Sequence, residues 1–289
     1  MTDPHLQRRA SLALFLGASV WGLYWVPLRE LSRMGLDGAW GVALFNFCPL
    51  LVLVPLLVYR RQTTMTHLGP ALFIGAMTGV GLGLYSTSIV LAPVIRMTME
   101  FYLTSVWSTI IGAVWLGERL DRRRIATVVL GLVGLYLLIA GTGDLPANAL
   151  GLGDVLAILS GMLWALGAAG MKRWPNAPVL TTSTFQFLFA VLAGVALAVT
   201  VLTLAPPSLA QIATGFPLAF LASTLLLLPS VLVIFWACRI LFPGRAAILM
   251  MSEALVATLS AAFLLPAETM TGPQWAGAGI VLLACLLGR

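Results

Sequence analysis

The sequence predicts an all-α membrane protein with ten transmembrane helices, arranged as two inverted five-helix repeats with cytoplasmic N- and C-termini. The 289 residues are 60% hydrophobic and 9% charged, with a mean hydropathy of +1.02, whereas soluble domains carry about 25% charged residues. Apolar stretches long enough to span a bilayer recur along the chain. The two halves of the chain also share short motifs at nearly constant spacing.

The first five helices are predicted from apolar windows of about the length that a bilayer requires, all of them free of charged residues except the fourth. The N-terminal apolar run follows two arginines but lacks an Ala-x-Ala cleavage site, so we expect a retained helix and not a signal peptide. The five windows are Ala10–Leu28, Gly38–Tyr59, Leu68–Leu91, Pro93–Gly117 and Ile125–Ala140.

The second five helices are predicted in the same way, except that one long apolar window must be divided into two helices. The uncharged window from Trp174 to Cys238 is too long for one helix. The three prolines of LAPPSLAQIATGFP remove helix hydrogen bonds and predict a break there. The predicted helices are Val155–Met171, Val179–Leu204, Pro217–Cys238, Gly244–Leu265 and Pro273–Leu287.

The distribution of basic residues predicts the orientation. With the N-terminus in the cytoplasm, only Arg29, Arg33 and Arg96 of the 16 lysines and arginines fall on the outer side, which leaves 13 inside. This bias is the positive-inside rule. It also accounts for the net charge of +6, because the basic residues lie between apolar runs and do not form the patch that nucleic-acid binding needs.

An internal repeat divides the chain into residues 1–145 and 146–289. Trp21 in LGASVWGL falls on Trp164 in LSGMLWAL at an offset of 143, and Pro93 falls on Pro243 at an offset of 150. Five helices per half is an odd number, so the second half enters the membrane inverted relative to the first. Inverted repeats are typical of secondary transporters that work by alternating access, although a structural membrane protein could also arise by duplication.

Three stretches carry a resemblance to a known family. They are Phe235–Glu268 (FWACRILFPGRAAILMMSEALVATLSAAFLLPAE), Thr104–Leu120 (TSVWSTIIGAVWLGERL) and the SVWGLYW and GMLWALG pair that opens the two halves. The chain resembles the drug/metabolite transporter superfamily of EamA type, and most closely the bacterial exporters of aromatic and neutral amino acids. Ser105 and Leu255 stand where this family often has a proline, which weakens any inference about helix bending.

The resemblance implies that helices 1 to 4 and 6 to 9 enclose a cavity, braced by helices 5 and 10. Charges within spans are costly unless they are paired or wet, and aromatic rings can hold an ammonium group. Each aromatic could instead belong to a membrane interface or to packing. The candidate substrate-cavity residues are Trp21, Trp25, Tyr85, Arg96, Glu100, Tyr102, Trp107, Trp164, Trp236 and Glu253.

The fourth helix presents two alternative faces to this cavity. Arg96 and Glu100 are four residues apart and share one side of the helix, whereas Thr98 and Tyr102 belong to a second polar stripe on nearly the opposite side. If the first face lines the cavity, the pair binds substrate at the outer mouth. If the second does, the pair is an ion pair at the interface, with Arg96 reaching towards water.

Catalysis, cofactors and metal sites are not expected. The sequence contains no nucleophile triad, phosphate loop or CxxC pair, and its two histidines lie outside the predicted spans. The resemblance implies a bacterial inner-membrane secondary transporter that exports small metabolites, with amino acids including aromatic and apolar ones as substrates. The alternatives are a multidrug exporter of lipophilic cations and a non-transporting membrane protein. The expected partners are a small-molecule substrate and the lipid bilayer, and the oligomeric state is left open.

Overall fold

The computed structural model describes residues 4–60, 67–92, 94–119, 121–140, 151–264 and 271–287, and all regular structure within these ranges is helical. In the first half, the helices follow the order of the predicted spans, but two of those spans are each divided into two helices. They are α1 (Pro4–Trp21), α2 (Trp25–Arg33), α3 (Ala39–Tyr59), α4 (Leu68–Leu91), α5 (Val94–Phe101), α6 (Thr104–Leu116) and α7 (Arg122–Ala140).

In the second half, the helices again follow the order of the predicted spans. Short π-helical segments at Leu197–Val201 and Ser223–Leu227 extend α9 and join α10 to α11. The helices are α8 (Leu152–Arg173), α9 (Val179–Ala196), α10 (Leu209–Ala222), α11 (Leu228–Ile240), α12 (Pro243–Met250), α13 (Ser252–Leu264) and α14 (Gly272–Leu287).

Seven helical stretches in the described part of the chain are long and apolar enough to cross a membrane. They include Pro4–Arg33 (α1 with α2) and Leu209–Ile240 (α10 with α11), and α6 is a shorter apolar helix. The multi-pass membrane fold is therefore confirmed at this level. The count of ten spans and the orientation of the termini stay predictions.

Three predicted helices are interrupted in the structure. The predicted first helix, Ala10–Leu28, is divided by a turn at residues 22–24. The predicted fourth and ninth helices are divided at residues 102–103 and at Met251. Neither of the latter breaks contains a proline. Tertiary contacts, described below, maintain these breaks, which is why the apolar windows gave no sign of them.

The eighth predicted helix starts earlier than expected, at Leu209 and not at Pro217. Ser208 and Gln211 form a capping box: the Ser208 Oγ accepts from the Gln211 backbone N–H, and Gln211 Oε1 accepts from the Ser208 backbone N–H. This pair satisfies backbone groups that a helix start otherwise leaves unpaired. Pro217 is accommodated inside the helix, and the break lies at residues 202–208.

Helix α4 lies at the centre of the packing, in contact with both α8 and α9. Gly75 and Gly79 on α4 face the α9 backbone so closely that an added Cβ would lie 2.9 Å from the Thr182 carbonyl oxygen or 2.3 Å from that of Gln186. Small residues four apart allow membrane helices to approach in this way. This close packing holds α4 in position, and α4 carries polar residues of the centre of the protein.

Candidate functional site

The breaks in the first, fourth and ninth predicted helices meet inside the protein. Gly22, in the first break, lies against the start of α13, and an added Cβ would be 2.5 Å from the Glu253 carbonyl oxygen. Gly161 on α8 lies against the other break, where an added Cβ would be 2.4 Å from the Phe101 carbonyl oxygen. The first helix of each half thus packs on the interrupted fourth helix of the other half.

Glu253 lies at these junctions and is only 2% exposed. Its Oε1 is 2.8 Å from the Tyr85 hydroxyl on α4, and its Oε2 is 2.9 Å from the Tyr102 hydroxyl between α5 and α6. The Tyr102 hydroxyl is also 2.5 Å from the carbonyl oxygen of Met250. The Tyr85 hydroxyl lies 3.1 Å from Oγ1 of Thr98. One carboxyl group thus joins three helical elements from both halves of the chain.

A cavity of about 240 Å³ opens beside this carboxyl group. That volume includes space open to solvent, and within it there is room for roughly one water molecule. We call it the central cavity; its lining includes Trp21, Tyr85, Phe101, Trp164, Met250 and Glu253.

Aromatic rings form most of the wall of the central cavity. The rings of Trp21 and Trp164 meet edge to face with centroids 5.3 Å apart, and those of Tyr85 and Phe101 lie 4.7 Å apart. Trp21 Nε1 is buried and has no hydrogen-bond partner among the described residues. The wall therefore combines π faces, one carboxyl group and one indole N–H that a ligand could engage.

A second polar group lies behind Tyr85 on α4. The hydroxyl of Tyr24 is 2.7 Å from Ser86 Oγ, and the Asn46 side-chain amide donates to it at 3.3 Å. All three residues are buried. Because Tyr24 belongs to the break between α1 and α2, these hydrogen bonds hold that break against α3 and α4.

A side cavity of about 240 Å³ lies next to this group. Trp21 and Tyr24 line its inner end, and Leu226, which is 45% exposed, lies at its outer end. Trp21 is thus a common wall of the central and side cavities.

Five of the ten residues selected from sequence come together here. Trp21, Tyr85, Trp164 and Glu253 line the central cavity, and Tyr102 binds Glu253. Of the two faces of the fourth helix, it is the stripe of Thr98 and Tyr102 that reaches the carboxyl group.

The other five candidates lie elsewhere or are described only in part. Trp25 is buried and donates through Nε1 to Ser260, and Trp107 is half-buried on α6. Trp236 lies on the surface of α11, with 38% of its area exposed. Glu100 is half-buried on α5, and the Arg96 side chain lies outside the described part of the structure.

Several residues of this site were not selected from the sequence. Phe101, Met250 and Ser86 carry no charge, repeat or motif that would distinguish them from neighbouring apolar positions. Asn46 could have been selected from the sequence, because it is a polar amide within an otherwise apolar span. Such residues are usually hydrogen-bonded across helices.

A buried carboxyl group also lies at the end of α6. Glu118 follows α6, is buried, and lies against Gly112, where an added Cβ would be 2.0 Å from Glu118 Oε2. Its backbone N–H bonds the Gly112 carbonyl oxygen at 2.9 Å. Glu118 is therefore held at the terminus of α6.

The chemistry available in the central cavity is cation binding. A buried carboxyl group surrounded by aromatic rings can attract an ammonium group by charge and by cation–π contact. Over the ranges that the structure describes, no group of three or more histidine, cysteine or acidic side chains is arranged to bind a metal ion.

Comparisons with known proteins agree with this architecture. The EamA-like transporter family model matches residues 8–140 and 151–288. A solved structure described only as "Crystal structure of protein" has a TM-score of 0.70 at 14% sequence identity, over 97% of this chain and 96% of that chain. At that identity the likeness supports the fold alone. None of the curated proteins matches the chain.

Proposed function

This chain belongs to the EamA-like transporter family, and we propose that it exports small metabolites, chiefly amino acids with aromatic or apolar side chains. Membership in the family makes it a membrane transporter. The proposed mechanism is alternating access, in which helices of the two halves rock about the central cavity. We place it in the bacterial inner membrane with both termini in the cytoplasm, on the strength of the basic residues that flank the predicted spans.

One observation carries the proposal: the Glu253 carboxyl group opens into a cavity walled by the rings of Trp21, Trp164, Tyr85 and Phe101. The amino group of an amino acid would bind the carboxyl group. An aromatic or apolar side chain would pack against the rings, where offset and edge-to-face contacts are favourable. Trp21 Nε1 would donate to the substrate carboxylate, since it has no other partner among the described residues.

The central cavity is too small to hold a substrate in this conformation. Its free space has room for roughly one water molecule. Since ligand pockets are usually larger, we interpret the structure as a closed state of the transport cycle. Opening to either side would require the helices that meet at Glu253 to separate.

Lipophilic cations are the second candidate substrate class. The lining residues of the central cavity include one acidic side chain, and none of those described is basic. A cation without a carboxylate would bind to these lining residues as well as a zwitterion does. Such a cation would not need the indole N–H of Trp21.

Transport by purified protein in proteoliposomes would decide between the two classes. The panel would contain radiolabelled phenylalanine, tryptophan, leucine, threonine and one lipophilic cation, tetraphenylphosphonium. We expect flux of the aromatic and apolar amino acids above that of empty liposomes. Flux of the cation with none of the amino acids would replace the first candidate by the second.

A further inference from the structure

A further cavity lies at the end of the bundle where α8 and α11 terminate. Its volume of about 190 Å³ includes space open to solvent, and within it there is room for roughly one water molecule. We call it the inner cavity, because the basic residues predict that this end faces the cytoplasm. Its floor includes the buried residues Met171, Thr182 and Phe235, and its rim the half-buried residues Trp174, Val179 and Arg239.

Two aromatic rings separate the inner cavity from the central cavity. Phe235 lines the inner cavity, and Trp164 lines the central one. The centroids of their rings are 6.4 Å apart. A ligand in the inner cavity would therefore reach the central cavity once these two rings moved apart, and the inner cavity lies on a direct route to the Glu253 carboxyl group.

Arg239 is the charged residue among those named for the inner cavity, and part of its guanidinium group is available to a ligand. Its Nε donates to the Pro175 carbonyl oxygen at 2.5 Å, in the turn that follows α8. Within the described ranges, its two Nη nitrogens bond no other residue, and no acidic side chain lies within ion-pair distance of it. A guanidinium group held through Nε can still form two parallel hydrogen bonds to a carboxylate through its Nη pair.

The neighbouring cation, Lys172, has its own partners in the fold. Its Nζ donates to the carbonyl oxygen of Ile240, the last residue of α11, and lies 4.6 Å from the centroid of the Phe242 ring. It also interacts electrostatically with the buried Glu118. The charge of Lys172 thus has an acidic counterpart, whereas that of Arg239 has none among the described residues.

The contacts of both cations hold the guanidinium group in place. Lys172 on α8 binds the end of α11, and Arg239 on α11 binds the turn after α8. The rim is ordered on its other side too, because the Trp174 ring meets the rings of Phe73 and Trp115 edge to face, with both centroid distances at 5.5 Å. A ligand would therefore meet a cation and an aromatic ring that are already positioned, which lowers the cost of binding.

We propose that Arg239 and the inner cavity form an entry subsite for the carboxylate of an amino acid with an aromatic or apolar side chain. The carboxylate binds the Nη pair of Arg239 at the rim. The side chain packs against the Trp174 ring and enters the cavity as Val179, at the start of α9, moves away from α11. The role in entry rests on the proposed transport function, whereas carboxylate binding at Arg239 does not.

This subsite would give the transporter a second basis for selecting its substrate. The central cavity offers a carboxyl group to a cationic group, so it accepts amines and lipophilic cations as well as amino acids. Arg239 instead attracts a carboxylate and repels a ligand whose only charge is positive. An amino acid satisfies both groups in succession, the first through its carboxylate and the second through its amino group.

Binding of 3-phenylpropionate to the purified protein in a neutral detergent tests the subsite, measured by isothermal titration calorimetry. This probe has an aromatic ring and a carboxylate but no amino group, so its binding does not depend on the cation site at Glu253. We expect saturable binding to the wild-type protein. We expect none for 3-phenylpropanol, which has the same ring and no charge, and equal binding of the two compounds would overturn the proposal.

Two variants locate the bound carboxylate. Arg239→Gln should weaken the binding of 3-phenylpropionate by at least about tenfold. Val179→Trp, which fills the rim and keeps the guanidinium group, should weaken it as well. Arg173→Gln is the matched control and should bind normally, since Arg173 is exposed at the end of α8. Undiminished binding by a folded Arg239→Gln protein would overturn the proposal, and if that variant does not fold, undiminished binding by Val179→Trp would do so.

Failure of the subsite and failure of the proposed function give different results. Phenylalanine transport by a protein that does not bind 3-phenylpropionate would overturn the subsite alone. Arg239-dependent binding of the probe by a protein that transports no amino acid would support the subsite and overturn its role in entry. Where both occur, Arg239→Gln should raise the KM for phenylalanine transport, and an unchanged KM would refute the entry role.

Discussion

Gly22 and Glu253 are in backbone contact across the two halves of the chain: a Cβ on Gly22 would lie 2.5 Å from the Glu253 carbonyl oxygen. The same Cβ would be 2.9 Å from the backbone nitrogen of Ala257. These neighbours are backbone atoms of α13, which cannot move aside as a flexible side chain can. The contact holds the break of the first helix against the segment that positions the Glu253 carboxyl group.

We therefore expect Gly22→Ala to destabilise the folded protein by about 1–3 kcal/mol, the usual cost of overpacking a close contact. The measurement is the midpoint of thermal unfolding in detergent, monitored by the fraction that remains monodisperse. Gly279→Ala on α14 is the matched control, because its added Cβ would meet no atom within 4 Å. Equal stability of the two variants would show that α1 and α13 do not pack as described.

Tyr102→Phe removes one hydroxyl from the centre of the site. The Met250 carbonyl oxygen and Glu253 Oε2 both lose a hydrogen-bond partner, and leaving buried polar groups unsatisfied costs about 1–3 kcal/mol each. We expect a lower unfolding midpoint than in wild type. Tyr136→Phe is the control, since Tyr136 is 57% exposed; an equal loss in both variants would contradict a specific role for the Tyr102 hydroxyl.

Trp164 and Trp236 provide a matched pair for the role of the rings. Replacing Trp164 by leucine keeps an apolar side chain but removes a π face from the central cavity, where cation–π contacts contribute about 0.5–2 kcal/mol. We expect the affinity for phenethylamine, a cation with an aromatic ring, to fall by roughly 2- to 30-fold, measured by isothermal titration calorimetry. Trp236→Leu should leave binding unchanged because Trp236 lies on the outer surface. The reverse order would place the ligand elsewhere.

The sequence was sufficient to predict a multi-pass helical membrane protein, and five of the ten residues selected from it lie together in the structure. Hydropathy reflects the lipid environment directly, so apolar windows found the order of the helices. Glu253, Trp21 and Trp164 stood out because charges and paired tryptophans are rare enough in spans to be noticed. Within the fourth helix, periodicity separated the Thr98 and Tyr102 stripe from the other polar face but could not choose between them.

The helix breaks could not be predicted, because their cause is tertiary. Residues 22–24, 102–103 and 251 contain no proline, and the apolar windows of the sequence run through them without interruption. The breaks persist because Tyr102 binds the Met250 carbonyl oxygen and Tyr24 binds Ser86, contacts between residues far apart in the chain. Phe101 is also brought to the site by these breaks, and its position in the sequence gave no indication of this.

The carboxyl group of Glu253 is the feature on which the proposed transport depends most. The most direct test is the flux of labelled phenylalanine into proteoliposomes that contain equal amounts of wild-type, Glu253→Gln or Glu30→Gln protein. Glu30 is a matched control, since its carboxylate pairs with Arg33 at 3.1 Å on the protein surface. We expect flux in wild type and Glu30→Gln and a loss of at least about tenfold, or 1.4 kcal/mol, in Glu253→Gln. Undiminished flux in a correctly folded Glu253→Gln protein would contradict a substrate-binding role for this group.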